Sequence, residues 1–142
     1  MKIIFIALAL LATLYSCNRS PAGFIDIVTF QECHKDLNLD SLATIDRLLG
    51  EWRWEFIECY SQPGEVNSIT ENIRVRFNQN QTVDIIELNQ EISTTWSIRQ
   101  NSILEVDTFV NGFGGQMFFS QDQLVFANSF IDLCDVYLRR VE

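Results

Sequence analysis

The chain has 142 residues, of which 47 % are hydrophobic and 12 % aromatic, and its formal net charge is −9. This length suits one domain, and this composition is typical of a packed globule and excludes a disordered chain. The negative charge argues against nucleic acid as a partner, because phosphates need a basic face. We interpret the acidity as a property that keeps the protein soluble.

The chain opens with the pattern of an export signal. Lys2 precedes an apolar run over residues 3–14. The run is too short to cross a bilayer as a helix, which takes about 20 apolar residues. It ends at Leu14-Tyr15-Ser16-Cys17, which resembles the lipobox, the cleavage site of bacterial lipoproteins.

This resemblance implies that residues 1–16 are a signal peptide and that Cys17 becomes the first mature residue. Cys17 would carry the lipid, with palmitate among its acyl chains, and would hold the protein on a membrane. The expected location is therefore the bacterial cell envelope, at the outer membrane, with the periplasmic and the surface face both open.

Residues 17–36 are interpreted as a tether, and residues 37–142 as the folded domain. Within the tether, the apolar segment 24–30 is expected to lie along the domain or to add an edge strand. Residues 36–49 predict a short helix with Asp40 as its N-cap and Gly50 at its end. Its apolar stripe is Leu42, Ile45, Leu48 and Leu49.

The heaviest apolar strand is predicted at residues 50–60, where apolar and charged residues alternate. A period of two indicates a half-buried strand. It places Trp52, Trp54 and Phe56 on one face and charged residues on the other. Three large rings on one face predict that this strand anchors the core.

The chain's last strand is the expected partner of this first one. If Cys59 lies opposite Cys134, Phe56 faces Tyr137, and Arg139 falls across from Trp54, where a guanidinium can stack on an indole. This register favours a Cys59–Cys134 disulfide, with Cys33–Cys59 as the alternative. Because lipidation of Cys17 leaves three cysteines, one of them is expected to stay unpaired.

Between these two strands the sequence predicts six more, joined by short polar links that force antiparallel hairpins. They cover residues 72–77, 82–88, 92–99, 102–109, 115–120 and 123–128. The predicted fold is thus all-β, an eight-stranded antiparallel up-and-down barrel with a short N-terminal helix. Such a barrel is either filled with side chains or holds one small ligand.

The segments 49–54, 124–130 and 135–140 together resemble the lipocalin-like domains of bacterial lipoproteins, most of all those of the Bacteroidetes. The resemblance covers about residues 48–142. It implies an eight-stranded barrel with Trp52 near its closed end and Arg139 or Arg140 packed against that indole. The usual activity of the family that these segments resemble is the binding of a small ligand.

No catalytic set stands out, so we expect no enzyme. The only histidine, His34, lies away from any predicted site, and no Cys or His spacing indicates a metal or another cofactor. The candidate ligand contacts are aromatic or apolar side chains of the strands and of two loops. They are Phe77, Trp96, Leu104, Phe113, Phe126 and Phe130.

Two functions remain open at this point. The first is a membrane-anchored lipoprotein that binds a small hydrophobic ligand inside its barrel. The alternative is a non-catalytic protein-interaction or inhibitor module with a filled barrel and a protein partner that the sequence does not identify.

Overall fold

The structure is a computed structural model, which describes residues 27–59, 66–68, 72–88, 90–99, 103–106, 113–128 and 134–141. Within these described residues two helices precede the strands, α1 over Ile27–Leu37 and α2 over Ser41–Leu48. Asp40 is the N-cap of α2, as predicted, and its carboxylate accepts from the Ala43 N–H at 2.8 Å. Gly50 follows the helix with φ +113°, which lets the chain turn directly into the first strand.

Nine strands make one sheet, and all of its pairs are antiparallel. They are β1 (Gly50–Cys59), β2 (Val66–Ser68), β3 (Arg74–Phe77), β4 (Thr82–Glu87), β5 (Gln90–Arg99), β6 (Ile103–Val106), β7 (Gly115–Phe119), β8 (Gln123–Ala127) and β9 (Cys134–Arg140). From β3 to β9 each strand pairs with the next, and β9 pairs with β1. The predicted eight-stranded up-and-down barrel is confirmed, and it has no open edge between its first and last strands.

The short strand β2 is an addition to that barrel. The strands predicted from sequence left residues 61–71 without a strand, but β2 pairs with the far half of β1, where Phe56 faces Ser68 and Glu58 faces Val66. The near half of β1, from Gly50 to Arg53, pairs with β3 instead. One side of the long β1 is therefore shared between two shorter strands.

The register between β1 and β9 agrees with the prediction at the Cys59 end and differs from it beyond Phe56. Cys59 faces Cys134 and Phe56 faces Tyr137, but an irregularity between Trp54 and Phe56 then shifts the pairing, so that Trp54 faces Leu138. A bulge of this kind sets two residues of one strand against one of the other and reverses the alternation beyond it. The expectation that Arg139 lies across from Trp54 was wrong.

The bulge also separates the three rings that were predicted to share a face. Trp52 and Trp54 point into the barrel, whereas Phe56 packs outside it. There it stacks on Tyr137 with ring centroids 4.1 Å apart. The interior cluster contains the strand residues that were proposed as ligand contacts, Phe77, Trp96, Leu104 and Phe126. Its other members include Val75, Val83, Ile85, Phe119 and Leu124.

Part of the predicted tether is a helix that belongs to the folded domain. Phe30 and Cys33 of α1 are buried, and the Phe30 ring meets that of Tyr137 edge-on at 5.9 Å. The segment is thus neither extended nor an edge strand from Ile27 onward. In α2, Leu48 is buried, but Leu42 is 74 % exposed and does not belong to the apolar stripe, contrary to the prediction.

The disulfide between Cys59 and Cys134 is present, as the register predicted, and it joins the end of β1 to the start of β9. Cys33 is also disulfide-bonded, so the described cysteines include no free thiol. The expectation that one cysteine would stay unpaired was wrong. Among the described residues, no helix is both long and apolar enough to cross a membrane.

Candidate functional site

The candidate site is a group of rings in the barrel interior, here called the ring cluster: Trp54, Phe77, Trp96, Phe113 and Phe126. Four of these rings come from strands, because alternation points every second side chain of β1, β3, β5 and β8 inward. The fifth, Phe113, lies just before β7 and enters the interior from a loop.

Phe113 lies at the centre of the ring cluster. Its ring centroid is 5.1 Å from that of Phe126, 5.6 Å from that of Trp54 and 6.1 Å from that of Phe77. Phe77 in turn meets Trp96 edge-on at 6.1 Å. These separations are those of aromatic pairs in contact, so the rings fill this part of the barrel with one another.

The backbone around Phe113 is held in place at its C-terminal side. Gly114 and Gly115 both have positive φ, +113° and +116°. The Asn128 side-chain N–H donates to the Gly114 carbonyl at 2.7 Å, and the Asn128 backbone N–H donates to the Asp135 carboxylate at 2.6 Å. The loop therefore turns sharply onto β7 and directs Phe113 inward.

The candidate ligand contacts fall together in space. Phe77, Trp96, Phe113 and Phe126 belong to the ring cluster, and Leu104 is buried in the same core with 2 % exposure. Phe130 and Cys17 lie outside the described residues. The prediction thus found one contiguous region of the interior, and the presence of a ligand there stays a prediction.

The indole N–H of Trp54, in β1, is a feature that the alternating pattern did not indicate. Trp54 is 6 % exposed, yet its indole Nε1 has no hydrogen-bond partner among the residues that the structure describes. Trp96, by contrast, donates from Nε1 to the Thr82 carbonyl at 3.0 Å. Sequence reasoning treated Trp54 as a structural residue stacked by Arg139, and no pattern in the sequence marks its N–H as unpaired.

Arg140, not Arg139, packs on an indole. The Arg140 guanidinium lies 4.3 Å from the centre of the Trp52 ring, and the Arg139 guanidinium bonds the Glu55 carboxylate at 2.8 Å. This confirms the expectation that one of the two arginines packs against Trp52 at the closed end. The bulge decides which one, because it shifts β9 by one residue against β1.

His34 has a structural position on the outside of the barrel. Its imidazole Nδ1 accepts the Phe119 backbone N–H at 3.1 Å, and the imidazole packs between Phe118 and Phe119. Burial, followed by the charge of Arg47, lowers the pKa of His34. The Nδ1 atom of His34 is thus an acceptor that satisfies a backbone N–H of β7.

No protein-family model matches the chain, and no curated protein matches it. The fold and the ring cluster by themselves define the class: a small closed antiparallel β-barrel with an aromatic interior.

Proposed function

We propose that this protein is a lipid-anchored, lipocalin-like lipoprotein of the bacterial envelope whose barrel interior binds a small hydrophobic ligand. The observation that carries the ligand-binding proposal is the position of Phe113. It is a loop residue, yet it is only 6 % exposed and contacts three rings that strands contribute.

An aromatic side chain on a loop can leave the interior more easily than one on a paired strand. Phe77 and Phe126 cannot leave the interior without breaking the hydrogen bonds of β3 and β8. Phe113 precedes the paired residues of β7, so its ring can swing out while the sheet stays intact. Its departure would uncover the faces of Trp54, Phe77 and Phe126, which is an apolar surface suited to an apolar guest.

The test uses an apolar fluorophore, N-phenylnaphthylamine, titrated into the purified protein. The wild type should bind it with an increase in emission. Phe113→Ala should bind it more tightly, because no ring has to be displaced. The matched control is Phe118→Ala, which removes a ring of similar burial from the outer cluster, where Phe56 and Tyr137 lie.

Both substitutions should destabilise the fold by about 3–5 kcal/mol, the usual cost of a buried Phe→Ala change. Circular dichroism must therefore show that each variant is folded at the assay temperature. Binding by the wild type, enhanced in Phe113→Ala and unchanged in Phe118→Ala, is the expected result. A wild type that binds neither the fluorophore nor any member of a fatty-acid panel overturns the proposal.

The lipid anchor is supported by the lipobox-like Leu14-Tyr15-Ser16-Cys17. In cells, the wild type should fractionate with membranes and incorporate labelled palmitate, and Cys17→Ser should do neither. Mass spectrometry of the mature N-terminal peptide gives a second readout, because a lipidated Cys17 carries its sulfur as a thioether. That sulfur is then not available to Cys33, the other cysteine outside the Cys59–Cys134 pair, so a Cys17–Cys33 disulfide in the mature protein would overturn the anchor. A cysteine that proves to be unacylated overturns the anchor and leaves the ligand proposal standing.

The alternative of a protein-interaction or inhibitor module is favoured by one observation. The hairpin of β4 and β5 presents large apolar side chains to solvent, Leu88 at 79 % and Ile92 at 50 % exposure. Cross-linking in intact envelopes with a photoreactive residue at position 88 should give one discrete adduct if this hairpin binds a protein. Cross-linking from the exposed position 42 on α2 is the control.

A further inference from the structure

The three tryptophans differ in how their indole N–H groups are satisfied. Trp52 donates from Nε1 to the Leu48 carbonyl at 2.8 Å, and Trp96 donates to the Thr82 carbonyl at 3.0 Å. Trp54 is equally buried, but its Nε1 is without an acceptor among the described residues. The buried N–H of Trp54 is therefore the exception among the three tryptophans.

Such an exception is costly. A buried donor without an acceptor destabilises a fold by about 1–3 kcal/mol, and most buried polar groups are paired for this reason. A phenylalanine would fill nearly the same space without that cost. The neighbour that touches the Trp54 indole is the ring of Phe113, which offers no oxygen.

From this geometry we infer that the Trp54 N–H is the polar recognition point of the barrel, and that its ligand is a neutral apolar molecule with one carbonyl oxygen. The inference rests on the proposed ligand binding and adds the chemical class. When Phe113 swings out, the guest takes its place beside Trp54, and the carbonyl oxygen of that guest accepts the indole N–H. The hydrogen bond then fixes the orientation of an otherwise featureless ligand.

A charged ligand fits this interior less well. The described side chains of the interior cluster are all apolar, so none could neutralise a carboxylate or an ammonium group. Arg47 and Arg140 are half-buried, but their guanidinium groups already donate to the backbone carbonyls of Ser120, Gln121 and Leu49.

The test compares ligands that differ only in the acceptor. Methyl nonyl ketone and methyl naphthyl ketone are each paired with the alkene in which a methylene group replaces the carbonyl oxygen. Isothermal titration of the purified wild type should show each ketone binding about fivefold more tightly than its alkene, the gain expected from one neutral hydrogen bond. In Trp54→Phe the ratio of ketone affinity to alkene affinity should fall to about one, whatever happens to the affinity for the alkene.

The matched control is Trp96→Phe, which alters the same ring cluster but removes an N–H that Thr82 already accepts. The ketone preference should persist in this variant. Equal affinity for ketone and alkene in the wild type, or a preference that survives in Trp54→Phe, overturns the inference but leaves ligand binding intact. Failure of all four compounds and of the fluorophore overturns ligand binding itself.

Discussion

Arg140 covers the Trp52 indole at 4.3 Å and, in the same position, donates from Nη1 to the Leu49 carbonyl at 3.0 Å and from Nη2 to the Arg47 carbonyl. Trp52 itself donates to the Leu48 carbonyl. Two side chains from the ends of the sheet thus satisfy the C-terminal carbonyls of α2. The helix is thereby fixed across the closed end of the barrel, and a cation lies where the helix dipole is negative.

We therefore expect Arg140→Met to lower the free energy of unfolding by about 2–3 kcal/mol, since it removes a cation–π contact and two charge-assisted hydrogen bonds. Urea denaturation followed by tryptophan emission measures this. The matched control is Arg139→Met, whose partly exposed ion pairs with Glu55 and Asp122 should be worth less than about 1 kcal/mol. Equal costs for the two arginines would contradict this account of the closed end.

His34 should make stability depend on pH. Its pKa in the folded protein is lowered by burial and by Arg47, whereas in the unfolded chain it is ordinary, at about 6.5. The unfolded chain therefore binds more protons in this range. The contribution of neutral His34 to the free energy of unfolding is fully present above about pH 6.5 and is lost as the pH falls below that value. Protonation of Nδ1 would also break the hydrogen bond that it accepts from the Phe119 N–H.

The control for this prediction is His34→Gln, whose amide oxygen can still accept a backbone N–H but does not titrate. Thermal unfolding between about pH 7.5 and 5.5 should show a falling midpoint for the wild type and a flatter profile for the variant. The range stays above the ordinary pKa values of carboxylates, so Glu51 and Asp84, whose pKa values their hydrogen bonds lower, do not contribute. Parallel profiles would exclude His34 as the titrating group.

Gly115 is the glycine whose substitution we expect to lower stability most. It has φ +116°, and a Cβ at this position would overlap the side-chain amide of Asn128. Gly115→Ala should cost about 3 kcal/mol or more, the sum of backbone strain and the loss of the Asn128 bond to Gly114. Gly114→Ala has similar strain at φ +113°, but its Cβ meets only the Leu104 carbonyl at 3.1 Å. It should cost less, and the reverse order would contradict the proposed overlap.

The Cys59–Cys134 disulfide closes a loop with a sequence separation of 75 residues. The double variant Cys59→Ala, Cys134→Ala should lose about 4 kcal/mol on the loop-entropy model. Its circular dichroism should stay that of a β-barrel, because β1 and β9 remain paired through six further residue pairs. A loss below about 1 kcal/mol would mean that strand pairing alone holds the two ends together.

Much of this architecture follows from local pattern. Each hairpin requires two alternating segments and a short polar link, and those features are contiguous in the chain, so strand number and order could be predicted. The Cys59–Cys134 pair was also accessible, because one register placed it together with Phe56 and Tyr137. The strand residues among the candidate ligand contacts, Phe77, Trp96, Leu104 and Phe126, followed from the same alternation.

The predictions that were wrong concern the bulge in β1, where one residue is inserted, and the segment that was assigned to the tether. The bulge at Glu55 sends Phe56 outward and brings Arg140 to Trp52, and nothing in the alternating sequence of β1 marks it. Residues 27–36 were interpreted as part of the tether. They are helical because Phe30 and Cys33 are buried outside the barrel, and Phe30 meets Tyr137 there.

The sequence by itself determined the class of fold, the order of the strands and the inward-facing strand residues Phe77, Trp96, Leu104 and Phe126, because these depend on a period of two that neighbouring residues share. Tertiary structure alone decided that Phe113 enters the interior and that the Trp54 N–H has no acceptor among the described residues. Both are properties of residues far apart in the chain, and whether a polar atom is satisfied depends on which distant atoms surround it.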